Sequence, residues 1–401
     1  MSRKRKEVAA PRPMTKKQRT RAEREARLTR WIIAGTVAVG VLVIGILLYG
    51  YLAENVFKGR APVATVNGVP VTTADFQARV RHYRIVLQEQ RNYYTAQRME
   101  LDPTDPNVSF LLEYLNNQIR QLDSMLSETY ATVLGKEVLD RMVQEEIIRQ
   151  EAARRGMAVS QEEIDRAIEE QFGYDRDAAM AALLTPPVVS TAPVTAETAL
   201  TAPTTPVPTP MPKEEFDRRY QEYVKTYLKP SGLSEARFRA MVEASLLYNK
   251  LQQAMAAELP QTMEQVQIRY FLFPTQEEAG QVAERLGKGE KWEDIAAEMK
   301  ADGEGQVYAS EPEWVTKGFL TERFGEEASS TIWETPIQQH TVPLAGTDGR
   351  WYIVQVMDRQ VRELESWLRS YEEQRVFQEW LQAQMATVQY SEDWVSKIPT
   401  Q

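Results

Sequence analysis

The sequence contains no cysteine. That absence excludes disulfides, thiol nucleophiles, cysteine-ligated zinc and dithiol redox chemistry. Histidine is nearly missing too, with only His82 and His340, so histidine metal sites and histidine-based triads have almost nothing to draw on. No glycine-rich loop of the phosphate-cradling kind is present. Nothing calls for a cofactor or a metal, and none is expected. What the chain does have is length: 401 residues, 43% hydrophobic and 26% charged, enough for two or three folded domains.

Charge is unevenly spread. Residues 1–30 hold twelve Lys and Arg against Glu7, Glu23 and Glu25, a surplus of nine; with the whole chain at −9, the remainder carries −18. Trp31 to Leu52 then runs for 22 residues without a charge. At about 1.5 Å per residue, such a helix crosses the roughly 30 Å of a bilayer core. Trp31, Tyr49 and Tyr51 stand at its ends, where amphipathic rings favour the interface. The positive-inside rule puts residues 1–30 in the cytoplasm and everything after residue 52 outside. The basic tail is therefore read as setting membrane topology, and no nucleic-acid partner is expected. A cleaved signal peptide would need a shorter apolar core and a small residue two before the cut, and Tyr51 before Ala53 spoils that site. The expectation is a single-pass cell-membrane anchor with extracytoplasmic domains.

Beyond the anchor, Ala61 to Phe76 carries Asn67-Gly68 between two alternating apolar runs, a hairpin signal. Thr72 is placed to cap a helix, with Asp75 three residues on. Helical spacing predicts helices over about 73–100 and 108–134, then from Lys136 to Gly156. Ser160 with Glu163 makes a capping box for a further helix carrying Ile164, Ile168 and Phe172. Residues 185–212 hold eight prolines and eight threonines with Glu197 the only charge, too little apolar surface to offset chain entropy; a disordered insertion is expected. Helical patterning resumes at Lys213, with Phe216, Tyr220, Tyr223 and Tyr227 on one face and Pro230 and Gly232 at its end. Ser234 caps the next helix. That aromatic stripe reads as core, or as an adaptable groove for apolar partners.

This succession resembles the amino-terminal helical domain of extracytoplasmic foldases of the SurA, PrsA and PpiD kind. The matching features are Ala64-Thr65-Val66-Asn67-Gly68, the helix end Glu151-Ala152-Ala153-Arg154-Arg155-Gly156, and the start Val159-Ser160-x-x-Glu163-Ile164.

Residues 261–358 change character. Val266 to Leu272 alternates as a half-buried strand, and Trp351 to Val356 is a second, more continuously apolar one. Between them come a helix capped by Thr275 and Glu278, a helix with Trp292, Ile295, Ala296 and Met299 at helical spacing, the turn around Asp302, and a short helix carrying Leu320 and Phe324 on one face. That order is similar to a parvulin-type peptidyl-prolyl isomerase domain. It rests on the Gly289-x-x-Trp292-x-x-Ile295-Ala296 helix, Asp302, Trp314-Val315-x-Lys317-Gly318, the Leu320/Phe324 pair and Gly349-x-x-x-Ile353 together. The resemblance implies a proline pocket floored by Leu320 and Phe324, with Asp302 at the acidic position beside the amide. A prolyl amide faces a barrier of roughly 18–20 kcal/mol, which an apolar pocket lowers by favouring the twisted, less polar carbonyl. The family's two facing histidines are replaced here, by Tyr270 at the first position and Trp351 at the second, so turnover is in question.

Residues 359–401 follow as an amphipathic helix whose apolar face includes Leu364, Trp367, Leu368, Tyr371, Phe377, Trp380 and Leu381. In the resembled foldases such a helix packs back on the amino-terminal helical domain. The fold expected is α+β: a cytoplasmic tail (1–30), a transmembrane helix (31–52), a helical chaperone domain (61–260), an inserted parvulin-like block (261–358) and the carboxy-terminal helix (359–401). Three functions stay open. One is a membrane-anchored folding factor for unfolded or proline-containing clients with prolyl isomerase activity. The others are a holdase without turnover and a structural partner of the secretion machinery.

Overall fold

A computed structural model describes residues 39, 41–46, 58–184, 210–301 and 308–399. Most of the expected span at 31–52, nearly all of the 185–212 insertion and Asp302 lie outside them. No helix among the described residues is long and apolar enough to cross a membrane. Among the described residues helices dominate, with two sheets, and the chain divides into two compact units: residues 1–138 with 390–401, and residues 139–389.

The first unit opens on the hairpin β1 (Pro62–Val66) and β2 (Val69–Thr72), paired Val66 to Val69. Asn67 (φ 48°) and Gly68 (φ 85°) both lie in the left-handed region, as a two-residue turn matched to strand twist requires. Thr72 caps α1 (Thr73–Met99) by accepting from the Asp75 amide, 3.2 Å. The second expected helix is interrupted. α2 (Ser109–Leu126) stops where Ser127 turns extended, and α3 (Ala131–Arg154) starts afresh, because the Ser127 hydroxyl takes the Tyr130 amide and offers the backbone an alternative to helix. Leu87, Leu122 and Leu134 form a small core between these helices, flanked by Tyr83, Tyr94 and Met125. The chain's end returns to this unit. In the sheet order β2-β1-β8, β8 (Gln389–Tyr390) lies beside β1, and the Ser391 amide donates to the Val63 carbonyl. Gly135 has room for no side chain, since an added Cβ would stand 2.7 Å from Ile398.

In the second unit, α4 (Gln161–Gln171) carries the expected reciprocal Ser160/Glu163 box, and α5 (Arg176–Leu184) follows. α6 (Lys213–Tyr223) runs through a π turn at Val224–Leu228 and a last turn, Lys229–Ser231, to Gly232 (φ 75°). α7 (Glu235–Glu258) is capped by Ser234. Of the aromatic stripe Phe216 is buried and the tyrosines half-buried; Phe216, Tyr220 and Tyr223 set their rings edge-on to Phe172 at 5.3–6.1 Å. Such pairs add about 0.5–1.5 kcal/mol each beyond burial.

The sheet of this unit is built on β3 (Thr262–Phe273). Behind it come α8 (Gln276–Gly287), capped by Thr275, and α9 (Trp292–Ala301). Next are β4 (Tyr308–Ala309), β5 (Glu313–Val315), α10 (Lys317–Phe324), α11 (Glu326–Glu334) and β6 (Leu344–Ala345). β7 (Trp351–Glu363) closes the sheet and α12 (Ser366–Met385) follows. The order is β4-β3-β7-β6 with β5 also on β3, and β3 and β7 pair antiparallel from Thr262–Glu363 to Phe273–Trp351. Both long strands overrun the expected limits, β7 passing residue 358, because their polar ends still complete each other's ladder. α12 packs on α7, with Tyr248 edge-on to Phe377 at 4.8 Å.

One polar network ties α12 to α10. Glu372 reads as a surface acid in the sequence, yet it is wholly buried. It accepts from the Thr316 hydroxyl and pairs with Arg375 at 2.7 Å. Thr316 in turn caps α10 through the Phe319 amide, 3.2 Å. Gly318 is the glycine that lets the Arg375 guanidinium lie directly on this turn.

Two predictions follow from these buried groups. His82 is 7% exposed, and burial, reinforced by Arg79, lowers its pKa from 6.5 to about 4. The unfolded chain therefore takes the proton first, so stability is full above about pH 6.5 and falls as pH drops towards 4. NMR titration of the two imidazoles checks this; an ordinary midpoint for His82, or an unchanged pH profile in His82→Gln, counts against it. Glu372→Ala takes from the partly buried Arg375 its buried partner, leaving it only the exposed Glu379, and leaves Thr316 without its acceptor. Urea unfolding should show a loss on the order of 3 kcal/mol, and a change within the surface range of ±0.5 kcal/mol would contradict the network's role.

Candidate functional site

The alternation of β3 sorts its side chains into two layers. Val266, Ile268, Tyr270 and Leu272 pack with Tyr352, Val354 and Val356 of β7 beneath α10 and α11. Phe271 and Phe273 join Ile353 under α8 and α9, where Trp292 stacks on Phe271 at 3.8 Å. Burying each such large apolar side chain is worth roughly 1.5–3 kcal/mol, so both layers hold the sheet rigidly.

Of the residues singled out in the sequence, Tyr270, Leu320 and Phe324 come together in the first layer. Trp351 does not join them. It pairs with Phe273 and packs in the second layer, on the other side of the sheet. The neighbour facing Tyr270 is Tyr352, one residue on, with ring centroids 5.6 Å apart at 61°. A one-residue difference along a strand reverses the face, so Trp351 and Tyr352 lie on opposite sides of the sheet. Tyr352, and not Trp351, is thus the aromatic residue of β7 that shares a layer with Tyr270. Phe324 meets the Tyr352 ring edge-on at 4.9 Å.

Leu320 is 0% and Phe324 3% exposed, so both are shielded from solvent. Over Phe324 lies Arg323. Its guanidinium lies over the rings of Tyr270 (4.5 Å), Phe324 (5.6 Å), Phe319 (5.9 Å) and Tyr352 (5.9 Å). It donates to the Tyr270 hydroxyl and reaches Glu313 at 3.5 Å. The main chain at this point is fixed as well. The Arg323 carbonyl accepts from both the amide (3.2 Å) and hydroxyl (2.9 Å) of Thr347 in the β6–β7 turn. The same turn holds Tyr352, whose hydroxyl donates to Asp348 at 2.8 Å. Gly346 admits that ring, since a Cβ there would stand 2.5 Å from it. At the sheet edge, Ser310 exchanges two hydrogen bonds with the backbone of Tyr270.

The electrostatics suit binding better than proton transfer. Burial pushes the Tyr270 hydroxyl above its ordinary range although Arg323 pulls it down. Burial, with Asp348, raises Tyr352 to about 12. Both phenols therefore stay neutral at physiological pH and act as hydrogen-bond donors or acceptors. Burial also raises the Glu313 carboxyl, against the pull of Arg323. Burial weakens the Arg323 charge, but Tyr270 and Glu313 more than offset it.

A groove of about 580 Å³ opens between α10 and α12. Gln374, Gln378 and Gln382 line it at one-turn intervals opposite Thr321 and Glu322. Tyr352, Arg323 and Glu313 were not legible as a site. Only the tyrosine carried a usable signal, namely its strand parity once Tyr270's face is known.

Residues 23–179 match the SurA-like N-terminal domain family. No curated protein matches the chain. Among solved structures, the peptidylprolyl isomerase PrsA of Bacillus anthracis is 15% identical, over 56% of this chain and 93% of that one, with a TM-score of 0.26. PrsA of Bacillus subtilis is 18% identical, over 67% and 88%, with a TM-score of 0.19. A SurA-like chaperone structure from Campylobacter jejuni is 12% identical, over 83% and 99%, with a TM-score of 0.23. These superpositions are loose, whereas the family match is specific to the amino-terminal part. Residues 23–179 thus carry a SurA-like N-terminal domain.

Proposed function

We propose that this chain is a membrane-anchored extracytoplasmic folding factor that binds unfolded polypeptides, with a parvulin-type block that binds prolyl segments and turns them over weakly or not at all. The observation that carries the folding-factor reading is the SurA-like domain at residues 23–179. The parvulin-type reading of the sheet block is supported by the convergence of Tyr270, Leu320, Phe324 and Tyr352 in one layer.

Holding without turnover is favoured by a specific observation. Isomerisation needs an apolar pocket able to grip the proline ring, and here Phe324 and Tyr270 lie under a guanidinium. Client contact has another surface, the glutamine-lined groove between α10 and α12. Primary amides both donate and accept, so they suit the main chain of an extended segment whatever its sequence. The anchor is supported by the uncharged stretch 31–52 behind a basic tail.

Two measurements test the proposal. After cell fractionation the chain should sediment with membranes and resist alkaline extraction, while deletion of residues 31–52 should release it. Release of the intact chain by alkali would remove the anchor. The full chain in detergent should suppress aggregation of a denatured client at near-stoichiometric ratio, with little or no acceleration in a protease-coupled prolyl assay. Strong acceleration would overturn the holding emphasis, and failure to suppress aggregation would remove the folding-factor reading and favour a docking role.

A further inference from the structure

We propose that Arg323 is the specificity-determining residue of the sheet block's cleft: its guanidinium occupies the floor over Phe324 and Tyr352, excludes a prolyl ring, and must swing out before the cleft can take one. This rests on the reading of the block as a prolyl-binding one.

The position of the guanidinium is not that of a solvated surface charge. Four aromatic rings surround it at 4.5–5.9 Å from their centroids, and two of them, Phe324 and Tyr352, form the wall a ring would have to touch. Its polar edge is engaged by the Tyr270 hydroxyl and by Glu313. A planar guanidinium offers a face to rings and fixed donors at its edge, so this cage of π faces, a phenol and a carboxylate is matched to it. Occupation by the chain's own cation is therefore a stable arrangement.

It is also one that a side-chain movement alone can undo. The Arg323 carbonyl is held by Thr347, so the backbone of α10 stays where it is while the side chain leaves. Its side chain is 30% exposed, as is that of Glu313, so solvent is already at the edge of the cleft. Departure uncovers Phe324 and Tyr352 without moving any secondary-structure element. With the closed form dominant, the apparent affinity for a prolyl segment is the intrinsic one multiplied by the fraction open. A low prolyl affinity in the native chain then reflects a covered pocket, not a missing one.

The experiment compares the full-length wild type with Arg323→Ala and Arg323→Met, the second keeping an apolar side chain in case the first folds poorly. A short Ala-Ala-Pro-Phe peptide is the probe, its binding and its cis–trans exchange both followed by NMR. Near-ultraviolet circular dichroism verifies the fold. At least one folded variant should bind the peptide about tenfold or more tightly than wild type, as removal of a dominant closed state requires. Arg323→Lys, which keeps the charge but loses the planar face, should fall between. Equal affinity in wild type and folded variants overturns the proposal, because the guanidinium then excludes nothing. Absence of binding in every folded variant overturns it too, since no prolyl site then lies beneath Arg323. Suppression of client aggregation by the wild type is measured alongside. Its failure counts against the folding-factor reading, whereas retained suppression with no gain in the variants counts against the Arg323 proposal alone.

Discussion

The register of β3 against β7 is the constraint on which the rest of the second unit depends. The two strands pair from Thr262–Glu363 to Phe273–Trp351, with one irregularity between Gln267 and Ile268. Because side chains alternate, that register decides which aromatic residues belong to which layer. It places Tyr270 and Tyr352 under α10 and α11, and Phe271, Phe273 and Trp351 under α8 and α9. A shift of one residue would exchange the two sets. The cleft and the rigid back of the block are thus two consequences of a single alignment.

What could be read from the sequence was local. The Asn67-Gly68 turn, the caps at Thr72, Ser160, Ser234 and Thr275 and the end at Gly232 are bonds closed within a few residues, so the residues involved carry the whole signal. The same holds for the Leu320/Phe324 pair, four apart on a helix. What could not be read needed a partner distant in the chain. Trp351, Tyr352, Ile353 and Val354 are all apolar or aromatic, so no polar alternation marks which face is which. Arg323 looks like a solvent-facing charge until the rings of Tyr270 and Tyr352, from two other strands, are placed around it. Strand ends at Thr262 and Glu363 look polar and unstructured until each is set against the other. For the proposed anchor at 31–52 and for Asp302 the sequence remains the basis, since they fall largely or wholly outside the described residues.

Glu372 carries the same lesson into energetics. An acid on a helix rich in Glu and Gln is ordinarily solvated, and nothing in its spacing distinguishes it from Glu373. Yet it is buried between Thr316 and Arg375, joining α12 to the helix that bears Leu320, Arg323 and Phe324. A buried ion pair contributes little net stability, but breaking one is costly. Its effect is to fix one arrangement: α12 docks on α10 only where the Thr316 hydroxyl, the Arg375 guanidinium and the bare backbone of Gly318 meet. The carboxy-terminal helix thereby helps position the cleft.

The chemistry of the cleft follows from what fills it. Turning a prolyl amide benefits from surroundings that disfavour the planar, more polar carbonyl, and a dry apolar pocket does this. A guanidinium, a carboxylate and two phenols do the opposite: they stabilise polar, hydrogen-bonded ground states. With Arg323 in place the cleft is filled by polar groups, and the raised Tyr270 and Tyr352 hydroxyls remain neutral within it. On the proposed prolyl-binding reading of the block, these side chains as they stand oppose twisting a prolyl amide.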